Sequence, residues 1–373
     1  MINVVEVISD RNIGGAGILL VNRLKNSDRK KFKTIVILPR GSELTDRFRK
    51  IGICAIEINA FADRSFDISG IPILFALFKK IKPDIINSHS CLGARVAARF
   101  ANVPVVLHTR HCIYPIKKIY AIPLVKNVNR ALDKILGDKT IAVAEVVKKQ
   151  LVAMGMEPSR IHVIINGAEP LIELNEREKE SIRERLGISR DDTVVTICAR
   201  LETCKDHETF LRAAKYILLK NKKYRFLIIG GGSQEAYLKE KASQYGIKNR
   251  VIFTGAVADV APYMNITDIN VNCSIGTETS SLALSEGMSL GIPAIASDYG
   301  GNPYMVKHGA NGYLFHQRDA KDLADKILLL ENKSEYKKLS LGARERFETE
   351  LNARRMTRET EKFYCSLIVD RKN

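Results

Sequence analysis

Hydrophobic positions along the chain alternate between two patterns. Short runs of apolar, often β-branched residues, as at residues 4–9 and 32–38, predict buried strands of a parallel sheet. Helical stretches follow them, as at residues 42–51 and 91–100. Because strands and helices alternate, the sequence predicts a doubly wound α/β fold, in which ligands bind beyond the carboxyl ends of the strands.

The second half of the chain repeats this alternation. Strands are predicted at residues 193–198, 224–229, 251–254 and 268–272, and a last helix at residues 351–368. A length of 373 residues favours two domains, each large enough to bury its own core. The chain is therefore expected to contain two α/β domains.

Residues 274–301 combine several features of a binding site. A loop carries Glu278, and Ser280 and Ser281 are good N-caps for the short helix that follows. A helix N-terminus offers free N–H groups and a positive dipole end, which suit a phosphate or a sugar hydroxyl. Glu286 lies in this helix among small apolar residues, where an unpaired carboxylate is costly. That setting favours a binding role, although two glutamates at this spacing also occur on solvated helices.

Three other predicted strands end in candidate residues. Arg200 and Lys205 follow one strand and suit a diphosphate, because arginine binds as a fork and lysine as a point charge. A glycine turn that begins at Gly14 follows the first strand, an arrangement that brings backbone N–H groups close to a phosphate. His111 follows a third strand, with His108 as a rival candidate.

Charge is distributed unevenly along the chain. The net charge is +17; residues 1–166 carry 27 Lys and Arg against 13 Asp and Glu, a net of +14, and residues 167–373 carry 32 against 29, a net of +3. A basic first half favours an anionic partner. Nucleic acid, an anionic membrane surface and an acidic acceptor all qualify, as does a basic surface that is merely solvated.

Residues 114–134 mix apolar residues with cations. The segment is either an amphipathic one that leans on a membrane or binds an acceptor, or an ordinary basic surface helix, and both interpretations stay open. Pro115 and Pro123 argue against one long helix. The cations are Lys117, Lys118, Lys126, Arg130 and Lys134.

Composition favours a cytoplasmic protein. No window approaches the ~18 apolar residues that a membrane span needs. The first ten residues, MINVVEVISD, lack the basic region of a signal peptide. The seven cysteines form no CxxC pair, which fits a reducing compartment.

Glu278, seven residues and then Glu286, followed by GMSLGIPAIASDYGG, resembles the E-x7-E signature of the retaining glycosyltransferases of family 4. That family has the GT-B fold, in which two Rossmann-like domains with doubly wound parallel sheets face a central cleft. The resemblance implies a retaining, metal-independent glycosyltransferase that uses a nucleotide diphosphate sugar, UDP- or GDP-linked, and requires no cofactor.

Other motifs extend the resemblance over nearly the whole chain. They are Gly14, Gly15 and Ala16 in a GGA loop, Thr109 and His111 in T-x-H, Asn166 and Gly167 in the interdomain linker, Arg200 and Lys205 in G-R-L-x-x-x-K-G, and Val257 in the segment that lines the nucleobase pocket. The resemblance thus implies an acceptor-side domain at residues 1–166, a donor-binding domain at residues 167–350, and a C-terminal helix at residues 351–373 that crosses back to the first domain.

The resemblance also implies roles for these residues. As catalytic residues, Arg200 and Lys205 would neutralise the diphosphate, Glu278 would position the sugar, and His111 would contact the sugar from the other domain. Glu286 would accept hydrogen bonds from the ribose. The expected donor-binding residues are Gly14, Gly15, Ala16, Asn166, Val257, Ser280, Ser281, Leu282 and Glu286.

The chain departs from the family pattern at five positions. Ala144 stands where serine is common, Glu169 where aspartate is usual, Ala199 and Asp206 where glycine is usual, and Tyr304 where glutamate is usual. Ala144 removes one hydroxyl contact, and Tyr304 puts one local contact in doubt.

Together with the basic first half, the resemblance implies a glycan or lipid-linked acceptor at a membrane. We expect a protein of bacterial envelope polysaccharide synthesis, such as lipopolysaccharide or capsule, that is cytoplasmic and peripheral on an anionic membrane. A nucleotide-sugar epimerase or a phosphorylase on the same fold stays open. A non-catalytic nucleic-acid-binding protein would explain the charge but not the paired glutamates, and the sequence shows no nucleic-acid-binding module.

Overall fold

The computed structural model describes residues 1–369 and divides the chain into two units. Unit 1 consists of Met1–Gly167 with the chain from Ala353 onward, and unit 2 of Ala168–Asn352. The last four residues of the helix predicted at residues 351–373 lie outside the described residues.

The strands fall at or near the predicted apolar runs. Those of unit 1 are β1 (Ile2–Ile8), β2 (Phe32–Pro39), β3 (Cys54–Ile58), β4 (Ile85–His89), β5 (Val105–Arg110), β6 (Lys139–Ala142) and β7 (Ile161–Val163). Those of unit 2 are β8 (Thr193–Cys198), β9 (Tyr224–Ile229), β10 (Val251–Gly255), β11 (Ile269–Asn272), β12 (Ala294–Ser297) and β13 (Gly312–Phe315).

Helices connect most of the strands. In unit 1 they are α1 (Gly15–Lys25), α2 (Thr45–Lys50), α3 (Gly70–Ile81), α4 (Leu92–Phe100), α5 (Pro123–Leu136) and α6 (Glu145–Ala153), with the C-terminal α15 (Ala353–Val369). In unit 2 they are α7 (Glu176–Arg185), α8 (His207–Lys220), α9 (Glu235–Gln244), α10 (Ala261–Met264), α11 (Leu282–Ser289), α12 (Asn302–Met305), α13 (Ala320–Leu329) and α14 (Lys333–Arg346). None of the helices described has both the length and the hydrophobicity to cross a membrane.

Both sheets are parallel throughout the described residues. Their strand orders are β3-β2-β1-β4-β5-β6-β7 in unit 1 and β10-β9-β8-β11-β12-β13 in unit 2. The order reverses between β1 and β4 in unit 1 and between β8 and β11 in unit 2. In doubly wound sheets, ligands bind outside the carboxyl ends of the strands at such a reversal.

Each sheet is buried under helices on both faces. In unit 2, Phe210 of α8 and Phe226 of β9 pack edge to face in the main core, with ring centroids 5.7 Å apart. In unit 1, Val7 and Ile86 of neighbouring strands are fully buried. Burial on both faces explains why the strands read as continuous apolar runs.

Helix α15 packs as part of unit 1. The Oγ1 of Thr357 donates to the carbonyl of Arg23 at 3.0 Å, and the carboxylate of Glu361 accepts from the amide of Asp28 at 2.8 Å. A π-helical turn, Phe347–Leu351, precedes the helix, so α15 begins at Ala353 rather than at the predicted residue 351.

Candidate active site

The loop between β11 and α11 is fixed by a helix cap and a glycine turn. The Oγ of Ser281 accepts a hydrogen bond from the amide of Leu284 at 3.3 Å, which makes Ser281 the predicted N-cap. Helix α11 therefore begins at Leu282, and its first amides point out of the helix at this loop. The helix ends at Ser289, shortly before Gly291, whose φ of +75° favours glycine.

Two consecutive glycines hold the loop in place. The amide of Gly301 donates to the carbonyl of Glu278 at 3.1 Å. A Cβ on Gly301 would lie 1.7 Å from the carbonyl oxygen of Thr279, and one on Gly300 would lie 2.3 Å from that of Glu278. The tight turn at Gly300 and Gly301 therefore seats the backbone that carries Glu278.

Glu278 is buried and ionised within a polar network. Its Oε2 lies 2.7 Å from Nζ of Lys205, 2.8 Å from Oγ of Ser274 and 3.2 Å from Nδ2 of Asn272. Burial alone would raise the pKa of Glu278, but the charge of Lys205 and these hydrogen bonds lower it below its ordinary value. The structure thus pairs two residues that sequence analysis assigned to separate ligand groups.

Polar residues after β11, at the end of β12 and at the start of α12 complete this network. The Nδ2 of Asn302 lies 3.0 Å from Oγ of Ser297, which donates to the carbonyl of Ser274 at 2.6 Å. All three residues are fully buried. None of the three was among the predicted site residues, although a serine at or just after the end of an otherwise apolar strand, as at Ser274 and Ser297, is a signal of this kind.

The carboxyl group of Glu286 has a different environment. Glu286 is half-buried, and burial, with a smaller contribution from the charge of Asp259, raises its pKa to about 7. Within residues 1–369, no group hydrogen-bonds to this carboxyl. The neighbouring Cys198, at the end of β8, has its pKa raised to about 12 by burial and by Glu286. Glu286 therefore lies at the strand-order reversal of unit 2 and is free to bind a ligand.

Arg200 and Lys205 lie on the loop after β8. Arg200 is exposed, and no carboxylate of residues 1–369 pairs with it. Gly230 supports this loop closely, since a Cβ there would lie 2.1 Å from the carbonyl oxygen of Ala199. Asp206, where the family has glycine, adopts a left-handed conformation with φ of +48°, which aspartate tolerates better than most residues.

Two further positions of the family pattern, Val257 and Tyr304, lie in unit 2. Val257 is half-buried and packs against a core cluster that contains Ile229 of β9. Tyr304, where the family has glutamate, donates from its hydroxyl to Glu350 at 2.5 Å, and the guanidinium of Arg346 stacks 4.8 Å from its ring centroid. Tyr304 therefore contacts the end of α14 and the π-helical turn after it.

The GGA loop in unit 1 leaves room for a ligand. Gly14 is the N-cap of α1, and its amide region follows the carboxyl end of β1. A Cβ on Gly15 would meet nothing within 4 Å, and one on Gly14 would meet only Asp10 at an ordinary distance of 3.7 Å. Internal packing thus does not demand glycine at either position, unlike at Gly17, where a Cβ would lie 2.4 Å from Leu44. Ala16 is half-buried in the first turn of the same helix.

A buried ionic cluster lies beside this loop, and sequence analysis missed it. Glu6 of β1 has no exposed surface; its Oε1 contacts the guanidinium of Arg23 and accepts from the hydroxyl of Tyr364 at 3.0 Å. Its Oε2 lies 2.7 Å from Nε2 of His89. Burial alone would raise the pKa of Glu6, but the charge of Arg23 and the hydrogen bond from His89 lower it to about 2. A glutamate inside an apolar strand was the available signal.

This cluster orients the predicted His111. The Nδ1 of His89 lies 2.8 Å from Nε2 of His111, and the two rings stack with centroids 5.1 Å apart. Ionised Glu6 accepts a hydrogen bond from Nε2 of His89, which fixes the His89 ring against that of His111. Burial lowers the pKa of His111 well below its ordinary value, which favours a neutral His111 ring.

The predicted histidines of unit 1 line two different cavities. His111 and Asn166 line the same cavity of about 30 Å³, room for about one water molecule. His108, the rival, faces instead a cavity of about 450 Å³, and burial lowers its pKa well below the ordinary value. Ala144 is the N-cap of α6 and provides no side-chain cap, so the missing serine removes a capping hydroxyl.

Comparisons with known proteins identify the family of the chain. The family Glycosyltransferase Family 4 matches residues 13–170, and the family Glycosyl transferases group 1 matches residues 178–346. The chain is 27% identical over 325 residues to the UDP-Gal:alpha-D-GlcNAc-diphosphoundecaprenol alpha-1,3-galactosyltransferase of Escherichia coli, which covers 82% of this chain and 81% of that protein.

Two solved structures are similar over almost their full length. A glycosyltransferase from Rickettsia africae ESF-5 has a TM-score of 0.83 and 20% identity, and covers 98% of each chain. Anabaena Alr3699/HepE, solved with UDP and glucose, has a TM-score of 0.82 and 19% identity, and covers 98% of this chain and 100% of that one. These structures show the fold, and the two family matches account for most of the chain. The chain therefore belongs to the GT-B glycosyltransferases of family 4.

Proposed function

We propose that this glycosyltransferase moves a sugar from a nucleotide diphosphate sugar to a glycan or lipid-linked acceptor, with retention at the anomeric carbon and without a required metal. The observation that carries the proposal is the carboxyl of Glu286, half-buried at the strand-order reversal of unit 2 and without a hydrogen-bond partner among residues 1–369. A ribose with two hydroxyls suits a carboxylate that can accept two hydrogen bonds.

A UDP-linked donor has the most support. The E. coli relative is named for UDP-Gal, and the Anabaena structure holds UDP and glucose. In this chain, Val257 follows β10 at the position that lines the nucleobase pocket in the family. A GDP-linked donor is the alternative.

Arg200 and Lys205 are proposed to hold the diphosphate. Arg200 is exposed and available to phosphate oxygens, whereas Lys205 already pairs with Glu278. An ammonium between the two anions would neutralise the charge that builds on the leaving phosphate. Glu278, ionised, would accept from hydroxyls of the transferred sugar, helped by the backbone N–H groups of Ser280, Ser281 and Leu282.

Attack on the same face as the departing phosphate is the proposed route to retention. The acceptor oxygen forms a bond to the anomeric carbon as the bond from that carbon to the diphosphate oxygen breaks. The acceptor proton passes to the leaving phosphate oxygen. Glu278 is a weakened nucleophile for the alternative covalent route, because the ammonium of Lys205 and two further donors withdraw charge from its carboxylate.

Unit 1 supplies the remaining proposed ligand contacts. His111, oriented by the chain from Glu6 through His89, would contact the transferred sugar. Gly14, Gly15, Ala16 and Asn166 would border the ligands there. The name of the E. coli relative includes a diphosphoundecaprenol-linked acceptor, which supports a lipid-linked acceptor and a place in envelope polysaccharide synthesis, at the cytoplasmic face of a membrane.

A donor screen tests the proposal. Thermal shift and hydrolysis are measured with UDP-, GDP- and ADP-sugars in EDTA, for the wild type and for Glu286→Gln. We expect one donor to raise the melting temperature of the wild type and to be slowly hydrolysed, and the variant to respond far less. Stabilisation by polynucleotide instead of any nucleotide sugar would contradict the proposal. Turnover that depends on inorganic phosphate would identify a phosphorylase, and a changed sugar without transfer would identify an epimerase.

A further inference from the structure

Helix α5 in unit 1 has its polar side turned inward. None of its residues is buried. The Nδ2 of Asn129 donates to the carbonyl of Met154 at 2.9 Å. The carboxylate of Asp133 pairs with Arg95 at 3.5 Å and with Arg160 at 3.2 Å. Polar contacts therefore attach the helix to the rest of unit 1.

Its apolar side chains face outward as a consequence. Leu124, Val128, Leu132 and Ile135 recur every three or four residues and so form one stripe along the helix. Their exposed fractions run from 49% at Leu132 to 70% at Leu124. An ordinary surface helix buries such a stripe and exposes its polar side. The fold of unit 1 thus leaves this stripe uncovered.

The segment before the helix enlarges the apolar surface. Tyr114, Ile116, Ile119 and Ile122 are all about half exposed. Of the 23 large apolar side chains exposed in residues 1–369, eight lie between positions 114 and 135. Exposed apolar residues concentrated in this way mark a site of interaction rather than an average surface.

Cations accompany the apolar residues, and acids do not. Between positions 114 and 136 the only acidic residue is Asp133, which faces inward. One of the five cations, Lys134, pairs with Glu157, and no carboxylate of residues 1–369 pairs with the other four. The cations are Lys117, Lys118, Lys126, Arg130 and Lys134.

We propose that residues 114–136 form a docking surface for an anionic lipid bilayer. The apolar stripe would enter the boundary between headgroups and acyl chains, and the long cationic side chains would reach the anionic headgroups. An exposed apolar face with unpaired cations beside it fits a lipid surface, because the bilayer presents acyl chains to the apolar side chains and anionic headgroups to the cations.

A cavity borders this surface. Its volume is about 450 Å³, and Tyr114 and Leu132 belong both to its lining and to the apolar surface. Arg95, His108 and Arg110 also line it. A lipid-linked acceptor in the docked bilayer would present its polar head at this cavity. This role of the cavity rests on the proposed function, whereas binding of the protein to a bilayer can be measured without assuming that function.

Tryptophan fluorescence tests the docking surface, because the chain contains no tryptophan. Leu124→Trp and Ile135→Trp each place one fluorophore on the stripe. Leu219→Trp in unit 2 is a matched control, since Leu219 is 71% exposed and Leu124 is 70% exposed. Each variant is mixed with vesicles of phosphatidylcholine, with or without phosphatidylglycerol, and binding is followed in parallel by co-sedimentation.

We expect a blue shift of emission and quenching by brominated lipid for the two α5 variants with anionic vesicles only. Added salt should reverse both effects, because it screens the attraction. The control should show neither effect. A triple variant with serine at Leu124, Val128 and Ile135 should sediment far less than the wild type.

Three results would overturn the inference. One is sedimentation with anionic vesicles while both α5 fluorophores remain unshifted, which would place docking elsewhere. Another is no vesicle binding at all. A third is a blue shift without vesicles that grows with protein concentration, which would mean that a second copy covers the stripe. Thermal shift with UDP-glucose on the same variants separates the two proposals, because nucleotide binding without vesicle binding would reject only the docking surface.

Discussion

Glu6 in unit 1 and Glu286 in unit 2 are carboxylates near the strand-order reversals of their own sheets, yet their surroundings differ. Glu6 is fully buried and contacts Arg23, His89 and Tyr364, and its pKa falls to about 2. Glu286 is half-buried without a hydrogen-bond partner among residues 1–369, and its pKa rises to about 7. Glu6 therefore serves the fold and the orientation of His89, whereas the carboxyl of Glu286 remains available to a ligand.

The largest effect is expected at Glu6. Glu6→Gln leaves Arg23 buried without its counter-charge and should lower the free energy of unfolding by about 3–5 kcal/mol. Chemical denaturation at neutral pH measures this loss. The folded-state pKa of Glu6 is lowered, so its contribution is present above the ordinary pKa and is lost as pH falls from about 4.5 towards 2. An unfolding free energy equal to that of the wild type would contradict the structural role.

Substitutions of Lys205 and Arg200 distinguish a cation that pairs inside unit 2 from one that is available only to the ligand. Arg200→Ala and Lys205→Met should each lower turnover by about 10²–10³-fold, since each removes a charge that stabilises the leaving phosphate. Only Lys205→Met should also lower the melting temperature, because it leaves Glu278 buried without its cation. Steady-state kinetics and thermal melts measure the two effects. Turnover of Arg200→Ala within a few-fold of the wild type would contradict the phosphate assignment.

Glu286→Gln should act on ligand binding rather than on the fold. We expect donor affinity to fall by about 10- to 100-fold, from the loss of charged hydrogen bonds worth about 1.5–3 kcal/mol. Because the folded-state pKa of Glu286 is raised, the wild type loses stability as pH rises from about 4.5 through 7. The melting temperature of the variant minus that of the wild type should therefore be larger at pH 8 than at pH 5. A variant that is destabilised like Glu6→Gln would erase the contrast between the two carboxylates.

The smallest effect is expected at His111. His111→Ala removes one neutral hydrogen-bonding ring and should lower kcat/KM by about tenfold, while Glu6 keeps Arg23 and Tyr364. His108→Ala is the comparison, since His108 lines the cavity assigned to the acceptor head and should affect only the KM for the acceptor. Kinetics with a saturating acceptor compare the two variants. A larger loss at His108 would move the sugar contact away from the chain of Glu6, His89 and His111.

The sequence was sufficient for the architecture because strands buried on both faces leave continuous apolar runs. It was also sufficient for the loop of Glu278, since the N-cap Ser281 and the turn at Gly300 and Gly301 are local features. The pairing of Lys205 with Glu278 was not predictable from spacing, because the two residues lie 73 positions apart.

Other features depend on contacts that local pattern does not encode. Tyr364 reaches Glu6 across 358 positions, so the buried cluster becomes visible only when α15 packs in unit 1. Which face of α5 points outward is set by the partners of Asn129 and Asp133, on elements remote in sequence. The outward face of α5 was therefore not predictable from residues 114–134 alone.

Proton release on donor binding tests the ligand role of Glu286 most directly. UDP-glucose is titrated into the protein by calorimetry at pH 7 in buffers of different ionisation enthalpy, because its diphosphate diester has no group that titrates near this pH. We expect the wild type to release about half a proton, since binding fixes Glu286 in its ionised form. We expect Glu286→Gln to bind more weakly and to release none. Equal proton release by both proteins, or none by a wild type that binds the donor, would contradict the assignment of Glu286 to the nucleotide.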